Sequence, residues 1–462
     1  MTTVIQRRLE VAFLLAVVGL VWRGAFDGAF QFDDLPTIIQ DPTYRSLGSF
    51  IEDLPGRIRP VTRLSIMVDR LAFGFQPAGY HVQSMILHAG CGLLLYDILR
   101  RAQLGGRTLP VLAALVFLVH PIVCETVVYV SGRASGLSAC LVLLALWLYI
   151  EATPAAPEGR FKPLAFAASV GCFALALAAK ETAAALPLLL LAYDAMARRQ
   201  SDVPFRTRWA LHHAAYWAVL GAAMLVAALA MPRYRELAAV SLSLRSPWEN
   251  LFVQAKPLVL ALALFVWPAG LNIDHDLKPA APSDPLAWIA AVGLVALLVT
   301  ALVSRRRMPA VALGMTWFFI AVLPANGPIA RLDLLSERNL YLPLAGLAIA
   351  AAGLASALIE AVRQHSRSYA TGAFALAALI ALGAFGTATA GRAKLWSDPF
   401  ALWSDAVAKS PGSSRAHNNL GYSLEQRGDL EGAIREYRLA LKLRPGNEQA
   451  WSNLRRAWAA AE

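Results

Sequence analysis

Charge is what this sequence has least of. Only 16% of its 462 residues are Asp, Glu, Lys or Arg, against about a quarter in an ordinary soluble domain, while 57% are hydrophobic and mean hydropathy is +0.51. That balance excludes a soluble globular fold and reads as a multi-pass membrane protein. Cysteine is scarce too. Cys91, Cys124, Cys140 and Cys172 lie in apolar stretches without CxxC or His-paired spacing, which leaves them as small buried hydrophobes and implies no disulfide or zinc site. His81, His88 and His120 lack the spacing of a helical metal site, so core or hydrogen-bonding roles are expected. The net charge of +11 is no nucleic-acid signal, because much of it falls in short loops between apolar runs, where it sets topology. After Arg7, Arg8 and the run Leu9 to Trp22 no small-x-small cleavage site follows, and a retained signal anchor is expected.

What the sequence has in plenty is apolar length. Runs able, or nearly able, to cross about 30 Å of hydrocarbon lie at about 9–26, 80–99, 109–124, 135–151, 163–179, 182–197, 210–231, 251–270, 286–304, 309–324, 341–362 and 370–390. If each run through 182–197 crosses once, Arg7 and Arg8, then Arg100, Arg101 and Arg107, then Arg160 and Lys162, then Arg198, Arg199, Arg206 and Arg208 share one side. The positive-inside rule makes that side cytoplasmic and puts residues 27–79 outside. Counting every later run as a crossing would place Arg305, Arg306 and Arg307 outside. Treating 251–270 as re-entrant or interfacial, broken by Lys256-Pro257 and ended by Trp267-Pro268, restores the rule with about eleven crossings. Arg363 to Arg367 then lie inside and the carboxy terminus outside. The fold expected is all-α, a polytopic membrane domain over 1–392 with a repeat-bearing tail over 393–462.

After about residue 392 the apolar runs stop and a 34-residue period begins. Leu420, Gly421, Ala433, Tyr437, Ala440 and Pro445 fit the tetratricopeptide pattern; a shift of 34 maps Tyr437 onto Trp403, Ala440 onto Ala406, Pro445 onto Pro411 and Leu420 onto Leu454. One full repeat flanked by two halves is below the usual three, so the tail is expected to lean on the membrane domain or on another copy. It serves either as a stability cap or as a groove for a peptide or partner.

Ionisable residues beside membrane segments are costly unless paired or solvated, so they mark candidate chemistry. Asp33-Asp34 follows the first apolar run. It reads as a helix cap before Leu35-Pro36, as a general base for an acceptor hydroxyl, or as a metal pair. Arg59-Pro60, Arg133, Lys180-Glu181, Arg331 and Glu337-Arg338 place cations in apolar settings, either as snorkelling anchors and ion pairs with Glu125, Glu181 and Glu337 or as ligands for a lipid phosphate.

The ordered set Phe32-Asp33-Asp34, Arg59-Pro60-Val61-Thr62, Gly79-Tyr80-His81 with His88, His120-Pro121 with Glu125 through Tyr129-Val130-Ser131-Gly132-Arg133, Lys180-Glu181-Thr182 and Glu337 through Pro343 resembles the bacterial relatives of the transmembrane and tetratricopeptide-repeat-containing O-mannosyltransferases. The resemblance covers almost the whole chain. It implies a GT-C glycosyltransferase using a polyprenyl-phosphate sugar on the non-cytoplasmic face. By that resemblance an acid of Asp33-Asp34 activates the acceptor, Arg133, Lys180 and Arg338 hold the lipid phosphate, and Arg59, His81 and Glu125 shape the pocket beside Glu337.

The reaction expected is an inverting displacement at the anomeric carbon. No metal is required, although a divalent ion on the Asp pair stays open. Expected partners are the lipid-linked sugar, a protein or else a glycan or lipid acceptor, membrane lipids and a protein on the repeats, with no nucleic acid. A non-catalytic repeat-bearing scaffold is the alternative of another class. The expected location is the bacterial inner membrane, with the amino terminus cytoplasmic and the active site and repeats periplasmic.

Overall fold

The computed structural model describes residues 2–153, 160–197, 212–365 and 368–461. Arg198, Arg199, Arg206, Arg208 and Arg367, counted in the topology above, lie outside the described residues. Among the described residues there is no strand. Hydrocarbon offers backbone groups no partners, so each apolar run closes its own hydrogen bonds as a helix. Seven prolines, which cannot donate, sit where no donor is needed: Pro60, Pro77, Pro163, Pro232, Pro285, Pro309 and Pro399 each begin a helix, whereas Pro324 lies inside one.

The helices that frame the site are α1 (Thr2–Val21), α2 (Pro60–Phe73), α3 (Pro77–Ala102), α4 (Leu109–Val119), α5 (Arg133–Ala152), α6 (Pro163–Ala179), α7 (Leu186–Ala197), α8 (Ala214–Ala230), α9 (Pro232–Leu244), α10 (Ala255–Val266), α11 (Pro285–Val303), α12 (Pro309–Asn326), α13 (Tyr341–His365) and α14 (Ser368–Leu395). Among the described residues, seven helical segments are each long and apolar enough to cross a membrane, and two bent pairs raise the total to nine. One bent pair breaks by 51° at His120-Pro121; the other turns by 93° between α8 and α9. The remaining expected crossings are α1, whose first turns carry Arg7, Arg8 and Glu10, and the shorter α6 and α7.

The segment 247–266 passes the length and composition test for a span, yet both of its ends meet the same end of the bundle. Arg245 donates to the Arg331 carbonyl (2.7 Å) and Asn250 to that of Gly327 (2.7 Å), while Lys256 pairs with Asp284 (3.0 Å) at the start of α11. Beyond α10, the Asn272 amide donates to Glu337 (2.6 Å). The segment thus lies along one end, as the arginines at 305–307 require.

That end carries Asp33, Lys180, Arg331 and Glu337. The opposite end is tied by Asp97, which accepts from Arg7 (3.1 Å), Arg101 (2.7 Å) and Trp147 (2.8 Å). Helices α12 and α13 touch backbone to backbone at Gly314 and Gly346, where an added Cβ would lie 2.4–2.5 Å from the facing carbonyl oxygens. His88 and His120 are core residues as expected, each ring bonded on both nitrogens: His88 to Tyr341 and Leu118, His120 to Phe265 and Ile122. All four cysteines are free.

The tail forms α15 (Pro399–Lys409), α16 (Ser414–Gln426), α17 (Leu430–Leu443) and α18 (Glu448–Ala461), one helix pair with a half on either side. Gly421 lets the Tyr437 ring close on α16; a Cβ there would come within 2.7 Å of it. The tail leans on the membrane domain. Arg415 bridges Asp274 (2.9 Å) and Asp333 (3.0 Å), Lys409 donates to the Leu271 carbonyl (2.9 Å), and Trp403 meets Phe32 edge to face at 5.4 Å.

Candidate functional site

The Asp pair sits in a strained turn. Phe32 has φ of 43°, a left-handed conformation that a bulky residue adopts only under constraint, and residues 35–39 that follow form a single π-helical turn. The cap reading fails, because Asp34 makes no side-chain cap bond to that turn. Instead its Oδ1 accepts from the Ser131 amide (2.7 Å) and hydroxyl, and its Oδ2 accepts from the Gln31 amide (3.0 Å). Asp34 is wholly buried, and burial lifts its pKa to about 6 despite those donors. The perturbed group is therefore the one with no access, and it anchors the loop onto the residues before α5.

Asp33 is the accessible member. It is half-buried, and among the described residues it has no ion pair. Its amide donates to the Tyr129 hydroxyl (3.1 Å), and the Arg338 guanidinium lies 5.9 Å from the centroid of the same ring. Arg338 is aimed by Glu125, a buried carboxylate that accepts from its amide (2.9 Å) and guanidinium (2.7 Å). Asp33 and Arg338 thus share Tyr129 as a spacer.

A cationic cluster continues from Arg338. Lys180, 3% exposed at the start of a short turn after α6, donates to Ser135 (2.6 Å) and Asn339 (2.7 Å) and has no carboxylate partner among the described residues. Burial and the guanidiniums of Arg59, Arg338 and Arg331 push its pKa well below the ordinary lysine value. Arg59, another left-handed residue (φ 58°), pairs with Glu181 (2.9 Å), which also accepts from Tyr234 of α9 (3.0 Å). Against burial, Arg59 holds Glu181 down to about 2. The Arg331 guanidinium has no hydrogen bond or ion pair among the described residues; burial, reinforced by Arg59 and Arg338, lowers its pKa. Four basic side chains, Arg338, Lys180, Arg59 and Arg331, thus meet two paired carboxylates, Glu125 and Glu181, at this end of the bundle.

Other expected site residues are placed elsewhere. Arg133 is wholly buried in a pair with Asp69 (2.5 Å) and donates to the Tyr80 carbonyl (2.7 Å), so its guanidinium is not presented with the cluster. Glu337 joins Arg392 (2.8 Å), Asn272 and His275 (3.1 Å), binding α14 and the 271–284 loop to the start of α13. His81 packs its ring on the Gly28 backbone, where a Cβ would lie 2.3 Å from Nε2. Among the described residues no group of three or more His, Cys, Asp or Glu converges as a metal site.

Asp33 also lines a groove of about 870 Å3 between its own loop and the concave face of the repeats. Sequence reasoning counted Arg331 only as one of several cations open to anchoring or phosphate binding, and it missed Tyr234 and the carboxamides Asn418, Asn419 and Asn453.

The fold and site together define a polytopic helical membrane protein whose repeat tail faces a carboxylate and a cationic cluster. Residues 414–447 match the tetratricopeptide repeat family model. Over 91% of its length the chain is 25% identical to Protein O-mannosyl-transferase TMTC4 of Mus musculus, covering 65% of that protein. It is 23% identical to Protein O-mannosyl-transferase TMTC1 of Homo sapiens over 96% of this chain and 56% of that one. Protein O-mannosyl-transferase F38B6.6 of Caenorhabditis elegans is also 23% identical, over 96% of this chain and 64% of its own. The chain spans about three-fifths of the length of these curated relatives. No solved structure matches it.

Proposed function

We propose that the chain is an integral-membrane glycosyltransferase of GT-C type that moves a sugar from a polyprenyl-phosphate donor to a Ser or Thr hydroxyl of a protein. The observation that carries this reading is the placement of Asp33 between two sites, the groove along the repeats and the cluster of Arg338, Lys180, Arg59 and Arg331. The Asp33 carboxylate takes the acceptor proton as the hydroxyl oxygen bonds to the anomeric carbon. The bond from that carbon to the phosphate oxygen breaks with inversion, and its electron pair leaves on the polyprenyl phosphate. The cations stabilise that charge, with Arg338 held in place by Glu125. The names of the relatives make mannose the first sugar to test. The membrane proposed is the bacterial inner membrane, with this end periplasmic.

The test is transfer from a polyprenyl-phosphate mannose to a Thr-containing peptide by the detergent-solubilised protein. Asp33→Asn is expected to lower kcat by about 100-fold or more with donor affinity retained. Near-normal turnover would remove Asp33 from the reaction.

A further inference from the structure

The turn that carries Asp33 is held from outside its own loop. Phe32 is left-handed (φ 43°), a costly state for a bulky residue, and such a state persists only where the surroundings fix it. Relaxing it to the ordinary φ of about −60° would rotate the following chain by roughly 100°, so the direction of the Asp33 carboxylate depends on this one dihedral.

Two sets of ties fix it. On the far side, the Asp33 amide donates to the Tyr129 hydroxyl (3.1 Å) and Asp34 accepts from the Ser131 amide (2.7 Å), both ahead of α5. On the near side, the ties come from the corner between the last membrane helix and the first helix of the tail. Gln31, 1% exposed, donates from Nε2 to the carbonyl of Trp396 (2.8 Å), in the turn after α14. The Trp396 ring lies 5.4 Å from that of Tyr129, and the Phe32 ring meets Trp403 of α15 edge to face at 5.4 Å. Gln31 is thus fastened 365 positions along the chain.

The tail does not need these ties in order to dock, because Arg415 and Lys409 already bind it to Asp274, Asp333 and the Leu271 carbonyl. They fall instead on the two residues directly before Asp33, one of them the strained one.

We propose that Gln31 and Phe32 are positioning residues that lock Asp33 to the corner between α14 and α15, so that the docked tail sets the aim of the base. This rests on the reading of Asp33 as that base.

The test uses the full-length protein with polyprenyl-phosphate mannose and the Thr-containing peptide. Phe32→Gly removes the ring yet takes a left-handed φ without strain, and Gln31→Met keeps the side chain's length but not its donor. Each is expected to lower kcat at least about tenfold at unchanged KM for donor and peptide, while Phe32→Tyr, which keeps the ring, recovers most of the rate. The deciding readout is the combination with Asp33→Asn. A residue that acts only through the base costs nothing once the base is gone, so Phe32→Gly should change the residual rate of Asp33→Asn by less than about twofold. Losses that multiply would make Phe32 a general prop of the fold, and a raised peptide KM at unchanged kcat would make it an acceptor contact. Either result, or full activity of both single variants, overturns the proposal and leaves the base assignment standing. Near-normal turnover by Asp33→Asn would instead sink the base, and the positioning role with it.

Discussion

Two adjacent aspartates with different jobs show what a single side chain's surroundings decide. Asp34 is the group with the raised pKa, but a base must reach its proton, and only Asp33 lines the groove. For Asp34 the folded value of about 6 exceeds the unfolded 3.8, so between those values the folded chain holds a proton that the unfolded chain has lost. Stability therefore falls as pH rises through that window, by up to about 3 kcal/mol. Unfolding of the solubilised protein between pH 4 and 7 should show this slope, and Asp34→Asn should flatten it; parallel profiles would mean that Asp34 is not buried as described. The Asp-Asp pair stood out in the sequence as charge beside a membrane segment. Which acid is buried and which is open was not legible, because the Ser131 donors that fix Asp34 lie 97 positions away. Arg331 makes the same point. It was one of several loop cations, and only the fold shows its guanidinium unpaired beside Arg59, Lys180 and Arg338. Arg331→Ala is expected to raise the Kd for polyprenyl phosphate about tenfold, readable by a competition assay, with no change for the peptide. Arg133→Ala should instead lower Tm, since it leaves Asp69 buried and alone.

At the scale of elements, helix positions were readable because apolar runs must become helices in hydrocarbon, and the twelve expected runs all correspond to helical segments. The exception to crossing was readable from two signals together, the arginines at 305–307, which require one later run not to cross, and the breaks at Lys256-Pro257 and Trp267-Pro268, which point to 251–270. The turn between α8 and α9 was not. It brings Tyr234 over Glu181, and no local signal fixes a 93° bend. Nor did the sequence indicate which glycines are structural. The α12–α13 contact holds the start of α13, and with it Arg338, against the loop that carries Arg331. Gly346 has the Gly314 carbonyl oxygen 2.5 Å from where a Cβ would sit, whereas nothing lies within 4 Å of a Cβ at Gly383 in α14. Gly346→Ala should cost about 1–3 kcal/mol and weaken donor binding, and Gly383→Ala should be neutral or slightly stabilising. Thermal unfolding of the pair in the same detergent decides it, and equal Tm values would show that the two helices do not close on each other.

The whole molecule is divided by charge into two ends. One is tied through Asp97 to Arg7 and Arg101; the other gathers the cations, Asp33 and the repeats. Because the tail is bound to the second end through Arg415, Lys409 and Trp403, the repeats lie on the same side as Asp33 and the cations, where the proposed transfer would take place. Two single cysteines report it. Gly446 is exposed with nothing within 4 Å of a Cβ, and Arg306 is exposed at the far end of α11, while the native cysteines are buried or half-buried. An impermeant thiol reagent on intact cells should label Gly446→Cys and should reach Arg306→Cys only after lysis. Labelling of both, or of neither until lysis, would break the eleven-pass path, since the two positions would share a side. The reverse pattern would keep the path but invert it. Asp33 and its cations would then face the cytoplasm, and the donor would have to present its phosphate there. The preference for a polyprenyl phosphate over a soluble sugar nucleotide would lose its topological support, and the cationic cluster would be retested against both.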